Sequence, residues 1–276
     1  MDFAKEVSRA LTGAYRKKIW RPFMSAIKDY QLVSEGDKIA VCISGGKDSM
    51  LLAKCMQELK RHSPLHFELV FLCMDPGYAP ENRARIEENC RLLDIPVEFF
   101  ETDIFAAIEI MDCSPCYMCA KMRRGYLYRR AKELGCNKIA LGHHYDDAVE
   151  TLLMSMIYAG SIQGMLPRLK SDSVEGMELI RPLYKVRERE IIAWRDENDL
   201  HFLACACRTT RDAQLRPDGS ADSKRLEMKN LVKHLDNLNP DAAKNIFRSL
   251  HNVNLDAAIQ WKHKGETHSF LDEFNS

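Results

Sequence analysis

The sequence predicts an α/β fold in which helices cover both faces of a doubly wound, mostly parallel sheet of five strands. Short apolar runs alternate with longer segments of helical periodicity, and strands that alternate with helices form parallel sheets. The residue groups that suggest chemistry also fall where a strand ends or a helix starts. Open α/β sheets bind their ligands at that edge, so we expect a ligand site there.

Each predicted strand is a short apolar run bounded by turn or polar residues, and each predicted helix carries apolar residues at helical spacing. The strands are predicted over residues 38–44, 67–74, 97–102, 138–142 and 177–183. The helices between and after them are predicted over residues 47–61, 81–93, 118–134, 146–158 and 186–198. These elements place a catalytic domain at residues 37–207, between a helical N-terminal lead (1–36) and a helical C-terminal extension (208–276).

Composition and charge narrow the class of protein. Hydrophobic residues make up 46% of the 276 residues, and 40 basic residues balance 40 acidic ones. This composition excludes a disordered chain and a polycation, but it allows a local basic patch that binds nucleic acid. The opening residues are charged, and the longest uncharged stretch, 151–167, is interrupted by glycine and polar residues. We therefore expect no membrane span and a cytoplasmic protein whose ten cysteines stay reduced.

Residues 44–49 read SGGKDS, directly after the first predicted strand and at the start of a helix. Glycines let backbone N–H groups approach an anion, and the helix N-terminus adds a favourable dipole. Lys47 supplies positive charge, and Ser44 and Ser49 supply hydroxyl donors. The spacing differs from the Walker loop and from GxGxxG. The motif predicts a phosphate-binding loop, the alternative being a glycine turn with a capping side chain.

Residues 142–147 read GHHYDD and follow the fourth predicted strand. Gly142 allows close backbone approach. The carboxylate of Asp146 or Asp147 suits Mg²⁺, a hard cation, but either residue is also a good cap for the next helix. The two adjacent histidines lack the spacing of a zinc site.

Cys113, Cys116 and Cys119 form a C-x2-C-x2-C pattern. Thiolates at this spacing converge on one metal or cluster, and a further ligand normally comes from elsewhere in the chain. Cys205 and Cys207 are the candidates for it. The other five cysteines fall in strand or helix patterns and are interpreted as small core residues; they are Cys42, Cys55, Cys73, Cys90 and Cys136.

SGGKDS resembles the pyrophosphate loop of the N-type ATP pyrophosphatases, the PP-loop superfamily. The stretch from Cys116 to Gly125, GHHYDD, and the later YAG, MLP and IRPL segments resemble the tRNA 2-thiocytidine synthetase (TtcA-like) family over residues 37–207. The resemblance implies a PP-loop fold and an enzyme that splits ATP, with Mg²⁺, between its α and β phosphates. It implies catalytic roles for Asp48, Arg123 and Asp147. It implies that ATP contacts Ile43, Ser44, Gly45, Gly46, Lys47, Asp48, Ser49, Met74, Gly142, His143 and Asp147.

In that family three cysteines hold a [4Fe-4S] cluster and leave one iron open. Mapped onto this chain, the resemblance implies Cys116, Cys119 and Cys205 as the ligands. The late family motif is C-x-x-C, whereas this chain has Cys205-Ala-Cys207. Cys207 is therefore an alternative third ligand, and Cys113 is left open as a fourth ligand or a sulfur carrier.

A basic stripe follows the first cysteines. Three tyrosines are interleaved with it, and no acidic residue lies between positions 113 and 130. Basic residues contact phosphates and tyrosines stack on unpaired bases, so the stripe predicts a tRNA-binding face. A solvated face of a long helix is the alternative. The basic residues are Lys121, Arg123, Arg124, Arg129 and Arg130.

These expectations combine into an ATP-dependent tRNA sulfurtransferase. It would adenylate O2 of a cytidine, C32 of the anticodon loop, and replace that oxygen with sulfur delivered by the cluster. The expected partners are tRNA, a cysteine desulfurase or sulfide as sulfur donor, and a second copy of the chain. The alternatives are a 2-thiouridine synthetase, a cluster-free enzyme like lysidine synthetase, and a zinc-stabilised RNA-binding module without catalysis.

Overall fold

A computed structural model of the chain describes residues 3–104, 115–203 and 224–274, with side chains for all of these except 115–121 and 273. Within the described residues, six strands form the main sheet in the order β3-β2-β1-β4-β6-β5. The five strands β3, β2, β1, β4 and β6 pair in parallel, and β5 is antiparallel to β6 at the edge. The strands are β1 (Lys38–Ile43), β2 (Glu68–Asp75), β3 (Val97–Glu101), β4 (Lys138–Ala140), β5 (Arg168–Lys170) and β6 (Glu178–Ile180).

The predicted α/β class and mostly parallel sheet are confirmed, and each predicted strand has a counterpart. The sheet also contains β5, which no apolar run predicts because its sequence is Arg-Leu-Lys. Its backbone pairing with β6 is held in part by Arg168, which donates two hydrogen bonds of 2.9 Å to the carboxylate of Glu178. An edge strand can be this short and polar because only one of its sides is paired.

Helices occupy both faces of the sheet. In β1, Ile39 and Val41 face one core, while Ala40 and Cys42 face a second core on the other side. This alternation is the period of two that a strand imposes, and it explains why the run is apolar throughout. The helices are α1 (Phe3–Thr12), α2 (Arg21–Asp29), α3 (Lys47–His62), α4 (Pro80–Leu92), α5 (Pro115–Glu133), α6 (Tyr145–Ala159), α7 (Glu188–Glu197), α8 (Lys224–Leu238), α9 (Ala242–Ser249) and α10 (Phe270–Phe274).

Helix α5 packs on the smaller core through Tyr128 and Ala131. The larger core on the opposite face gathers residues from α1, α2, α3, α4, α6 and α7, and its largest fully buried side chain is Trp194. A π-helical turn, Arg16–Trp20, joins α1 to α2. The sheet therefore presents the carboxyl ends of β1, β2 and β4 between α5 on one side and α3 and α6 on the other.

The C-terminal part of the chain returns to the main domain. Helices α8 and α9 pack on α6, and the Tyr145 and Phe247 rings stack with centroids 4.1 Å apart. Met228 and Val232 of α8 are buried in the larger core. A two-stranded hairpin of β7 (Gln260–His263) and β8 (Glu266–Ser269) follows, which the sequence pattern does not predict. The packing of α8 on α6 brings the start of α8 to the ligand edge of the sheet.

No helix in the described ranges combines the length and hydropathy that a bilayer span requires.

Candidate active site

The SGGKDS loop connects β1 to α3, as the sequence predicts. Gly46 is the N-cap of α3, and Gly45 has a φ of +82°. A Cβ on Gly45 would lie 2.6 Å from Cγ1 of Ile86, so this position requires glycine for space as well as for conformation. The Ser49 hydroxyl closes the loop: it accepts a hydrogen bond from the Ser44 N–H at 3.1 Å and donates one to the Gly46 carbonyl at 2.9 Å.

The GHHYDD segment lies beside that loop because β4 pairs directly with β1. A Cβ on Gly142 would lie 3.0 Å from the carbonyl carbon of Asp48 and 3.1 Å from the backbone nitrogen of Ser49. The absence of a side chain at Gly142 thus lets the backbone after β4 lie against the first turn of α3. Two motifs almost 100 positions apart form one surface at the edge of the sheet.

The two neighbouring aspartates of GHHYDD have different surroundings. Oδ2 of Asp147 accepts a hydrogen bond from the His144 N–H at 2.8 Å, which makes Asp147 part of a capping box for α6. Asp146 accepts hydrogen bonds from Nε of Arg187 at 3.0 Å and from the Glu188 N–H at 2.6 Å. Asp146 therefore ties α6 to the start of α7, while Asp147 faces the ligand edge.

A cavity of about 370 Å³ opens at the carboxyl ends of β1, β2 and β4. Most of the residues predicted to contact ATP line it, whereas Gly45, Gly46 and Lys47 do not. The predicted residues that line it are Ile43, Ser44, Asp48, Ser49, Met74, Gly142, His143 and Asp147, together with Arg123 and Arg124 of the basic stripe. The lining residues that were not predicted as site residues are Cys42, Tyr78, Leu127, Leu141 and Arg225.

Lys47 is held beside the cavity by acidic neighbours. Its Nζ lies 3.1 Å from Oδ2 of Asp48 and 3.1 Å from Oε1 of Glu188, and Glu188 also pairs with Lys229 of α8 at 2.6 Å. Burial acts against the charge on Glu188, but the hydrogen bond from Lys229 and the charge of Lys47 lower its pKa to about 2. Glu188 is thus ionised at neutral pH and pairs with the loop lysine.

The protonation states and hydrogen-bonding atoms of the polar side chains that line the cavity suit a bound ligand. Burial lowers the pKa of His143 to about 4, although the charge of Asp147 opposes the shift, so the imidazole is neutral at pH 7. Burial acts to raise the pKa of Asp147, but the charges of His144 and Arg225 outweigh it and the pKa is lowered. Oδ1 of Asp48 and Nδ1 of His143 are buried and find no hydrogen-bond partner within the described part of the chain. Such buried groups require a partner that a bound ligand can supply.

The basic stripe divides into residues with different neighbours. Arg130 pairs with Glu98 and, at 3.1 Å, with Glu133. Arg124 and Arg129 are exposed, and the Arg129 guanidinium lies 5.8 Å from the centre of the Tyr126 ring. The Lys121 side chain lies outside the described residues. Arg124 and Arg129 are therefore the stripe residues most available to an RNA phosphate.

The predicted cluster ligands fall outside what the structure describes. Cys113, Cys205 and Cys207 lie in its gaps, and for Cys116 and Cys119 only the backbone, in the first two turns of α5, is described. The five remaining cysteines are buried free thiols, in agreement with their interpretation as core residues. Cys42 lines the cavity, but burial raises the pKa of its thiol to about 12, which disfavours a reactive thiolate.

The site defines the class of protein: a phosphate-binding loop between a parallel strand and a helix, facing a second motif on the neighbouring strand. The PP-loop domain family matches residues 16–212, so this is a PP-loop protein. Within that class the chain belongs to the tRNA-cytidine(32) 2-sulfurtransferase (TtcA) family, whose members are tRNA sulfurtransferases.

Two relatives support this placement, and one solved structure shares the fold. The tRNA-cytidine(32) 2-sulfurtransferase of Geobacter sulfurreducens is 38% identical over 240 residues, covering 86% of this chain and 90% of that protein. That of Geotalea uraniireducens is 38% identical over 232 residues, covering 83% and 88%. The U34-tRNA thiolase NcsA from Methanococcus maripaludis, solved with its [4Fe-4S] cluster, shares the fold with a TM-score of 0.65 at 22% identity, covering 94% of this chain and 81% of that one.

Proposed function

We propose that this protein uses ATP and Mg²⁺ to adenylate O2 of cytidine 32 in a tRNA and then replaces that oxygen with sulfur. One observation carries the proposal: a single cavity joins the SGGKDS loop, the GHHYDD segment and two arginines of the helix that bears Cys116 and Cys119. Nucleotide-binding, base-activating and sulfur-delivering groups must meet in one place for this reaction, and the loop, the GHHYDD segment and α5 meet at one edge of the sheet.

The loop is suited to hold the pyrophosphate part of ATP. Ser44 and Ser49 line the cavity with hydroxyl groups, and the loop precedes the N-terminus of α3, where the helix dipole favours an anion. The buried Oδ1 of Asp48 fits an oxygen ligand of Mg²⁺. When bound, Mg²⁺ would stabilise the negative charge that develops on the leaving pyrophosphate.

Neutral His143 and ionised Asp147 would complete the site beside the nucleotide. A neutral imidazole has one nitrogen that donates and one that accepts a hydrogen bond, and the Nδ1 atom of His143 has no partner within the described residues. His143 can therefore orient ATP without adding charge. Asp147 adds a carboxylate at the same edge, with one oxygen accepting a hydrogen bond from the His144 N–H and the other from Arg225.

Arg123 and Arg124 would position the tRNA base. Both line the cavity from α5, and Arg124 is also exposed. A guanidinium can contact a phosphate of the anticodon loop or stack on a flipped base. Arg123, closer to the cysteine-bearing end of the helix, is proposed to act beside the reacting base, and the exposed Arg129 would extend the contact along the RNA backbone.

A [4Fe-4S] cluster is proposed on Cys116, Cys119 and Cys205. Positions 116 and 119 are three apart on α5, so they share one face of the helix one turn before Arg123. Leu203, two residues before Cys205, donates a backbone hydrogen bond of 3.1 Å to the Gly45 carbonyl, so the last described residue before Cys205 lies at the loop. A cluster with three protein ligands supplies an iron that can hold sulfur for transfer. The U34-tRNA thiolase with the same fold was solved with a [4Fe-4S] cluster.

The remaining parts of the proposal concern partners. Sulfide or a cysteine desulfurase would supply the sulfur, because the reaction consumes one sulfur atom per modified base. The protein would act as a homodimer in the cytoplasm, where tRNA is available and the thiols stay reduced.

The proposal is tested by anaerobic reconstitution with iron and sulfide, followed by reaction with ATP, Mg²⁺ and a tRNA transcript. We expect one AMP and one pyrophosphate for each 2-thiocytidine found by nucleoside mass spectrometry. The matched control is the same transcript with uridine at position 32, which should remain unmodified. Thiolation that proceeds with zinc and without iron would contradict the cluster, and modification of another nucleotide would contradict the assignment to C32.

A further inference from the structure

The C-terminal helix α8 contributes a side chain to the cavity. Arg225 lies in its first turn and lines the cavity together with Ser44, Ser49 and Asp48. No sequence motif singles out this residue, which follows the active-site loop by about 180 positions. It reaches the site because α8 packs against α6, the helix that begins with the GHHYDD segment.

Two acidic groups hold the Arg225 guanidinium in place. Its Nη2 atom donates a hydrogen bond to Oδ1 of Asp147, and its Nε atom donates one to Oε2 of Glu150 at 3.3 Å. Glu150 is only 4% exposed. A guanidinium has five N–H donors in a planar fork, and these two contacts leave donors for a further acceptor in the cavity.

The balance of charge around the cavity favours an anionic ligand. Asp48 and Asp147 are acidic lining residues, His143 is neutral at pH 7, and the basic lining residues are arginines of α5 and α8. Lys47, the expected phosphate ligand, is held by Glu188 instead. Arg225 is also paired with carboxylates, but its guanidinium keeps further N–H donors at the cavity, and its fork geometry matches phosphate oxygens.

The same helix also braces the phosphate loop. Lys229, one turn after Arg225, pairs with Glu188 at 2.6 Å, and Glu188 pairs with Lys47 at 3.1 Å. Helix α8 thus reaches the nucleotide site twice, directly through Arg225 and indirectly through Lys229.

We propose that Arg225 binds the phosphate groups of ATP, so that the C-terminal helix completes the nucleotide site from outside the catalytic domain. The inference rests on the proposed ATP site and adds to it a residue that orients the pyrophosphate leaving group. Arg225 keeps its pair with buried Glu150, which positions the guanidinium, while its remaining donors face the ligand.

The test compares ligands that contain and lack phosphate. Binding of ATP, pyrophosphate and adenosine to the full chain is measured by isothermal titration calorimetry for the wild type, Arg225→Gln, Arg225→Lys and Lys233→Ala. We expect Arg225→Gln to weaken ATP and pyrophosphate at least tenfold and to leave adenosine unchanged, with Arg225→Lys intermediate. Lys233→Ala, an exposed change on the same helix, should bind all three like the wild type.

Glu150→Gln separates phosphate binding from a structural role. It removes the negative charge of Glu150 but keeps a side-chain oxygen that can accept the hydrogen bond from Nε of Arg225, so the guanidinium stays in place and most pyrophosphate affinity should remain. Equal losses for adenosine and pyrophosphate in Arg225→Gln, or the same pyrophosphate loss in Glu150→Gln, would overturn the inference in favour of a structural role. Unchanged binding in Arg225→Gln would overturn it as well. A wild-type protein that binds neither ATP nor pyrophosphate would instead overturn the ATP site itself.

Discussion

Gly142 lies against the backbone of Asp48: a Cβ added to Gly142 would be 3.0 Å from the Asp48 carbonyl carbon. Backbone atoms cannot rotate away as a flexible side chain can, so this approach joins the GHHYDD segment to the phosphate loop rigidly. The distance between β4 and the start of α3 is therefore set by the absence of a side chain at one position.

Gly142→Ala should weaken both the fold and ATP binding. The added methyl group would push the backbone after β4 away from α3, and overpacking of this kind costs about 1 to 3 kcal/mol of stability. Thermal unfolding and ATP titration measure the two effects. Gly125→Ala is the matched control, because a Cβ there meets nothing within 4 Å. It should be neutral or stabilise α5 by about 0.5 to 1 kcal/mol. Equal melting temperatures for Gly142→Ala and the wild type would contradict the steric argument.

Asp48→Asn should abolish most adenylation while the fold remains intact. The substitution removes the charge at a buried oxygen that has no hydrogen-bond partner among the described residues, and loss of one such electrostatic group reduces the rate about 100-fold or more. ATP–pyrophosphate exchange measures the effect. Lys47→Ala should also reduce exchange, because the carboxylate of Glu188 then loses the positive charge of Lys47 that neutralises it beside the loop. Lys60→Ala, an exposed change on the same helix, is the control. Exchange at the wild-type rate in Asp48→Asn would contradict the catalytic role of Asp48.

Cys116→Ala, Cys119→Ala and Cys205→Ala should each lose cluster absorbance and thiolation, because a three-ligand site cannot spare a ligand. Cys113→Ala and Cys207→Ala should keep the cluster. Cys136→Ala, which alters a buried core thiol, is the control for folding. Iron and sulfide counts after anaerobic reconstitution distinguish these variants. If Cys207→Ala is inactive and Cys205→Ala is active, the third ligand is Cys207 and not Cys205.

The double variant Arg124→Glu/Arg129→Glu should weaken tRNA binding by more than tenfold at low salt, about 1.4 kcal/mol. Both residues are exposed on α5, and each lost phosphate contact also reduces the dependence of affinity on salt. Filter binding at several salt concentrations measures both quantities. Arg130→Ala should have a smaller effect, because Arg130 already pairs with Glu98 and Glu133. If the double variant keeps the tRNA affinity and the salt dependence of the wild type, the stripe is a solvated helix face and does not bind tRNA.

Stability should fall between about pH 6.5 and pH 4 because of His143. Its pKa is lowered to about 4 in the folded protein from the ordinary 6.5, so the unfolded chain binds more protons in this window. The stability that neutral His143 contributes is complete above pH 6.5 and is lost as the pH falls. His143→Gln should flatten this part of the curve of melting temperature against pH. Parallel curves for the variant and the wild type would contradict the assignment. The pKa of Glu188, lowered from 4.5 to about 2, makes stability depend on pH only below pH 4.5.

Much of the site follows from local sequence. Ser44 to Ser49 and Gly142 to Asp147 are short motifs at the ends of predicted strands, and the parallel pairing of β1 with β4, an order that periodicity does not give, brings them together. Edge strand β5 and the β7–β8 hairpin were not predictable in this way, because a short polar strand carries no periodic signal.

The sequence by itself determined the α/β class, the two motifs and the residue types available for catalysis, because apolar periodicity and glycine placement act over a few residues. Only the tertiary structure decided how ionised groups pair. In the folded protein Lys47 pairs with Glu188, Asp146 joins α6 to α7 through hydrogen bonds, and Arg225 pairs with Asp147. Each of these pairs joins positions 41 to 141 residues apart. Their contacts depend on how helices pack on the sheet, and no local pattern of residues encodes that packing.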